Sequence, residues 1–186
     1  MKLGTALLAF ALIAAPACGG GGGDSDPGGS PTPVAAGFVA EVDNPSANTA
    51  AMAEGSKAND VVTVNVTLTN TNGVYGTAFE VVYDAIHTSY IGYAPGTAFE
   101  QGGASVNYTI TANSTATPPR IVVGISRAGG ATTNVSGTKT VVGLQFRVEQ
   151  AGVFPLRVEN PAVYDGQSTP QPIPDIDWYA GAVEGI

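Results

Sequence analysis

Val62-Thr63-Val64-Asn65-Val66-Thr67-Leu68-Thr69 alternates without a break between apolar and polar side chains. Successive side chains of an extended chain point to opposite faces. The run therefore puts Val62, Val64, Val66 and Leu68 on one side and Thr63, Asn65, Thr67 and Thr69 on the other, a strand with one buried face. Asn70-Thr71-Asn72-Gly73 follows, with residue types that tolerate positive φ, and a second alternating run carries Phe79, Val81 and Tyr83 on one side. Read locally, the two runs are expected to be antiparallel neighbours.

The same period of two returns at Val106, Tyr108 and Ile110, at Ile121, Val123 and Ile125, at Val142, Leu144, Phe146 and Val148, and at Phe154, Leu156 and Val158. Shorter strands are expected at 37–42, 89–93, 162–164 and 178–183, about nine or ten in all. Residues 46–58 read as a turn or two of helix. Runs with one apolar face bury it by pairing two sheets, so the fold class is an all-β, two-sheet antiparallel sandwich. The Cys, Trp, Cys spacing of immunoglobulin domains is absent, which favours a jelly roll.

The N-terminal part reads differently. Met1 and Lys2 precede an apolar stretch over 3–15, too short to span a bilayer and suited to the core of a signal peptide. Ala15-Pro16-Ala17 fits cleavage before Cys18, the one cysteine of the chain, and this position resembles the lipidation site of bacterial lipoproteins. Residues 1–17 are thus expected to be a signal peptide and 18–33 a lipid-anchored Gly/Pro-rich linker with too little apolar surface to fold. Residues 34–186 remain as the domain, held to the cell envelope outside the cell.

Fifteen acidic against seven basic residues give a net charge of −8, one unit more negative once Lys2 is removed. Phosphate recognition needs clustered cations, so this balance argues against a nucleic-acid partner. His87 is the sole histidine, and one imidazole makes neither a His-rich metal site nor by position a triad. Asp175 and Asp177 lie too close in sequence to provide the opposed carboxylates of a glycoside hydrolase, and no catalytic activity is expected. Asp165, Asp175 and Asp177 are weak calcium candidates, since calcium seeks several oxygen ligands. Tyr75, Tyr90, Tyr93, Tyr164, Trp178 and Tyr179 are candidate platforms for a sugar ring or a partner surface. Of Trp178 and Tyr179, adjacent on an extended segment, one ring is expected inside and the other outside.

The stretch Gly73-Val74-Tyr75-Gly76-Thr77-Ala78-Phe79-Glu80-Val81-Val82-Tyr83-Asp84 resembles the third-strand region of cohesins. Further similar segments occur in the family's order. They are the Val-rich strand within 55–69, residues 121–126, residues 137–148, Glu159, Val163-Tyr164-Asp165-Gly166 and the closing Gly181-Ala182-Val183. The resemblance implies a nine-stranded jelly-roll sandwich that acts as a monomeric, non-catalytic module. Such a module recruits a dockerin-bearing polysaccharide-degrading enzyme, with any calcium held by the dockerin. Glu80 and Glu159 join the aromatics as candidate contacts. In the best-known cohesins, Asn and Asp side chains on the third strand bond the dockerin helix, whereas the matching positions here are Gly76 and Ala78, and Ala85 replaces a common Pro. Direct carbohydrate binding is the alternative function, and a structural or adhesive envelope role, through strand-edge association, is a second.

Overall fold

The computed structural model describes residues 34–186, so the expected signal peptide, Cys18 and the expected linker lie outside the described residues. Among the described residues there are ten strands: β1 (Ala36–Ala40), β2 (Thr49–Ala58), β3 (Val61–Val82), β4 (Thr88–Pro95), β5 (Val106–Asn113), β6 (Arg120–Arg127), β7 (Thr133–Val148), β8 (Gly152–Asp165), β9 (Asp177–Tyr179) and β10 (Gly181–Gly185). Helix among the described residues is limited to single 3-10 turns at Gln101–Gly103 and Ala128–Gly130.

The long strand β3 organises both layers. Its first half lies between β2 and β7, with Asn65 opposite Ala53 and Gly143. Its second half lies between β6 and β8, with Ala78 opposite Gly124 and Ala162. One layer therefore runs β9-β2-β3-β7-β4 and the other β1-β10-β8-β3-β6-β5. This corrects the expected hairpin: the two alternating runs never pair with each other. Asn70 (φ 45°) and Gly73 (φ 68°) provide the positive-φ positions, but they redirect the chain from one layer into the other instead of reversing it. The crossing is held to β7, where Gly137 N–H donates to Asn70 Oδ1 (2.7 Å) and Gly73 N–H donates to Asn134 Oδ1 (2.9 Å).

Two further expectations are corrected. Residues 49–58 are strand β2, not helix: pairing with β3 buries Ala50 and Met52 on the core side and overrides the helical preference of an Ala-rich segment. The run at 178–183 is two strands, because the chain changes layer at Ala180. β9 lies parallel to β2, while β10 lies antiparallel between β1 and β8. The segments at 154–158 and 162–164 join into β8, which bulges where Asn160 takes φ 50°.

The core lies where the alternation put it. Val62, Val64, Val81, Ile121, Leu144 and Phe146 are fully buried, and Phe79, Phe99 and Leu68 nearly so. At the open side between β4 and β5, Tyr93 stacks on Tyr108 (5.8 Å), whose hydroxyl donates to the Gly96 carbonyl. Tyr90 packs edge-on to Phe146. Tyr90 and Tyr93 therefore stand at the open side between the layers, where Tyr90 is half-buried and Tyr93 stays 42% exposed.

Candidate protein-binding face

In antiparallel strands, residues directly opposite one another share a face, so the register builds the outer surface of β8, β3, β6 and β5 row by row. The first row is Tyr164, Gly76, Ser126 and Asn107, and the second Ala162, Ala78, Gly124 and Thr109. The third is Glu159, Glu80, Val122 and Thr111, and the fourth Arg157, Val82, Arg120 and Asn113. The centre is a flat floor of Gly and Ala, bounded by tyrosine and hydroxyl groups at one end and by charge at the other.

The floor is bare for a steric reason. A Cβ on Gly76 would stand 2.5 Å from the Ile125 carbonyl oxygen, so β6 leaves no room for a side chain there. Beside it, Thr77 is buried and its hydroxyl donates to the Ala162 carbonyl, tying β3 to β8 where the ladder is irregular. At the tyrosine end, Tyr75, Tyr164 and Pro170 with Asn107, Thr109 and Ser126 line a groove of about 350 Å³. No charged side chain lines it.

At the other end Arg120 donates to Glu80 (2.6 Å) and lies 3.8 Å from Glu159, while Asn160 donates to the second Glu80 oxygen (3.3 Å). The Arg120 hydrogen bond, aided by that of Asn160, holds the Glu80 carboxyl below the usual carboxylate range. Glu80 and Glu159 are thus fixed members of one cluster.

Of the candidates read from sequence, Tyr75, Glu80, Glu159 and Tyr164 are brought onto this face or its groove. Trp178 turns inward against Phe79 (5.4 Å), while Tyr179, paired with Ala51, falls on the outer side of the other layer. Both rings are half-buried, so the expected contrast of inside and outside holds for direction and not for exposure. Asp165 accepts the backbone N–H of Gln167 and Gln171 and serves a turn, and those bonds hold its carboxyl low. Asp175 takes φ 57° in the loop before β9, and Asp177 begins that strand. Among the described residues no group of three His, Cys, Asp or Glu side chains is placed to hold a metal, so the three calcium candidates do not form a site together. His87 lies in the loop after β3, its Nδ1 2.7 Å from Asp84 Oδ2 and its ring stacked on Phe154.

Sequence reasoning passed over Arg120, Asn107, Thr109 and Ser126. The polar positions of the run at 106–113 were a usable signal, but only the register of β5 on β6 joins them to Gly76 and Tyr164.

Comparison with known proteins bears on this architecture. The third ScaC cohesin of Acetivibrio cellulolyticus, solved in complex with the ScaB dockerin, superposes with a TM-score of 0.55 at 17% identity, over 67% of this chain and 87% of that one. A type II cohesin domain from the cellulosome of the same organism gives 0.54 at 13% identity, over 82% and 95%. The Clostridium thermocellum Coh-OlpA–Doc918 complex, described as a type I cohesin–dockerin complex, gives 0.50 at 17% identity, over 80% and 97%. At these identities the likeness is one of fold. No curated protein matches the sequence. The cohesin domain family model matches residues 48–170, well over half of the chain and everything from the start of β2 to the turn after β8, and the protein therefore belongs to the cohesin family.

Proposed function

We propose that this protein is a non-catalytic module that binds a dockerin through the outer face of β8, β3, β6 and β5, and that a lipid on Cys18 presents it outside the cell. The observation that carries the reading is the three-strand floor of Ala162, Gly76, Ala78 and Gly124, bare of long side chains and framed by larger ones at both ends. The family's third-strand contacts fall at Gly76 and Ala78, on this same floor. With no polar side chain at either position, hydrogen bonds to a partner come from the residues around them, from Asn107, Thr109, Ser126 and the Glu80–Arg120 cluster. Such a surface relies on close approach at its centre and on polar groups at its rim.

Capture of extracellular proteins on the immobilised full chain, with and without a calcium chelator, tests this. The expected result is chelator-sensitive recovery of a protein with duplicated calcium-loop segments. Recovery of no such protein contradicts it. Substituting Cys18 with Ser tests the anchor, and the variant is expected in the soluble fraction.

One observation favours a second reading, direct glycan binding. The groove between Tyr75 and Tyr164 combines aromatic rings with neutral amide and hydroxyl groups, the chemistry that packs on and hydrogen-bonds a neutral sugar. Retardation in glycan-containing gels that is lost in Tyr164→Ala supports it, and unchanged migration in every glycan refutes it.

A further inference from the structure

Arg127, the last residue of β6, is only 5% exposed. Its Nε donates to the Ala131 carbonyl (2.8 Å), Nη1 to Phe99 (2.5 Å) and Nη2 to Gln101 (3.0 Å). A guanidinium has five N–H groups and stays charged, so two remain without an acceptor among the described residues. It forms no ion pair among the described residues, where every other pairing of Arg or Lys with a carboxylate involves Lys57, Arg120 or Arg147. A cation withdrawn from water against carbonyl dipoles alone is incompletely compensated.

That side chain lines a depression of about 460 Å³ together with Gln101, Gly102, Thr132, Thr133 and Asn134. The amide oxygens of this lining are already used inside the protein: Gln101 Oε1 accepts from the Thr133 hydroxyl (3.3 Å), and Asn134 Oδ1 accepts from Gly73 N–H (2.9 Å). What is left over is the two amide NH2 groups and the two guanidinium N–H groups as donors, with the Thr132 and Thr133 hydroxyl oxygens able to accept. The adjoining depression carries one charge of each sign, Glu100 and Lys139, and so does not offset the Arg127 charge.

We propose that this depression is a binding site for a small hydroxylated carboxylate of the uronic acid class. The carboxylate accepts from the remaining N–H groups of Arg127, and the Gln101 and Asn134 amides with the Thr132 and Thr133 hydroxyls bond the ring hydroxyls. The site is separate from the groove between Tyr75 and Tyr164 and does not depend on dockerin binding.

The test titrates the full chain with D-galacturonate, D-galactose and acetate while following the backbone amide resonances of Gly102, Arg127 and Thr133. Saturable shifts are expected with galacturonate, about tenfold weaker binding with acetate, and none with galactose. Gln101→Ala, which removes an exposed side chain, is expected to weaken galacturonate binding about threefold, and Arg127→Lys about tenfold. Should Arg127→Lys fail to fold, the native titration and Gln101→Ala decide the matter. Equal binding of galactose, shifts confined to another part of the surface, or no saturable shift overturns the proposal.

Discussion

In the first half of β3 the outward threonines use their hydroxyls inside the protein. Thr67 donates to the Ala51 carbonyl (3.0 Å), Thr69 shares a bond with Thr138 (2.9 Å) and Thr63 with Ser56 (3.1 Å). In the second half the outward positions are Gly76, Ala78 and Glu80, flanked by open rows of Ser126, Thr109 and Thr111 on β6 and β5. One strand thus has a closed outer face and an open one under the same inward alternation. Polar residues on a solvent-side face do not by themselves mark an interaction surface. What matters is whether their donors and acceptors are already satisfied at home.

The largest effect expected is common to both halves, since their inward side chains share one core. Phe79→Ala removes a fully packed ring and its contact with Trp178, and is expected to cost about 3–5 kcal/mol in denaturant unfolding. A loss well below that range would mean that the second half packs more loosely than the first. Thr67→Val sharpens the contrast on the closed side. It deletes a buried donor to Ala51, and calls for a loss of about 1 kcal/mol in stability with no change in partner binding. Reduced binding in that folded variant would transfer the functional face to the wrong layer.

The smallest effect concerns Glu80. Its folded pKa is depressed, first by the Arg120 hydrogen bond and then by Asn160, so the stabilisation it provides is present above its unfolded pKa and lost as pH falls through the lowered folded value. Arg120→Met is expected to lower neutral-pH stability slightly and to flatten the acid limb of the stability profile by the same small amount. An unchanged acid limb would show that the pair contributes nothing to folding.

Much of this was legible in the residues. The alternation at 62–69, 121–125 and 142–148 specified strands, their inward side chains and the sandwich, because period two admits one assignment of faces. The crossing at Asn70–Gly73 was not legible. Positive-φ residues serve a hairpin and a change of layer equally well, and what decides is pairing with partners far away in sequence, Gln145 for Thr63 and Ala162 for Ala78. The site followed the same division. Tyr75, Tyr164, Glu80 and Glu159 could be named from local pattern, but their union with Arg120, Asn107 and Ser126 is a matter of register. The steric reason for Gly76 is the approach of a carbonyl 49 residues further along, at Ile125. Arg127 sits in a local pattern identical to any strand-end arginine, and only its burial sets it apart.

The most direct measurement compares dockerin binding by two matched arginine insertions, Ala78→Arg on the open face and Gln145→Arg on the outer side of the other layer. Each protein is first verified as folded by its unfolding midpoint. Ala78→Arg is expected to weaken binding about a hundredfold, because a long charged side chain stands where a helix must approach, while Gln145→Arg is expected to bind as the native protein does. Native affinity in Ala78→Arg, or loss confined to Gln145→Arg, would contradict it.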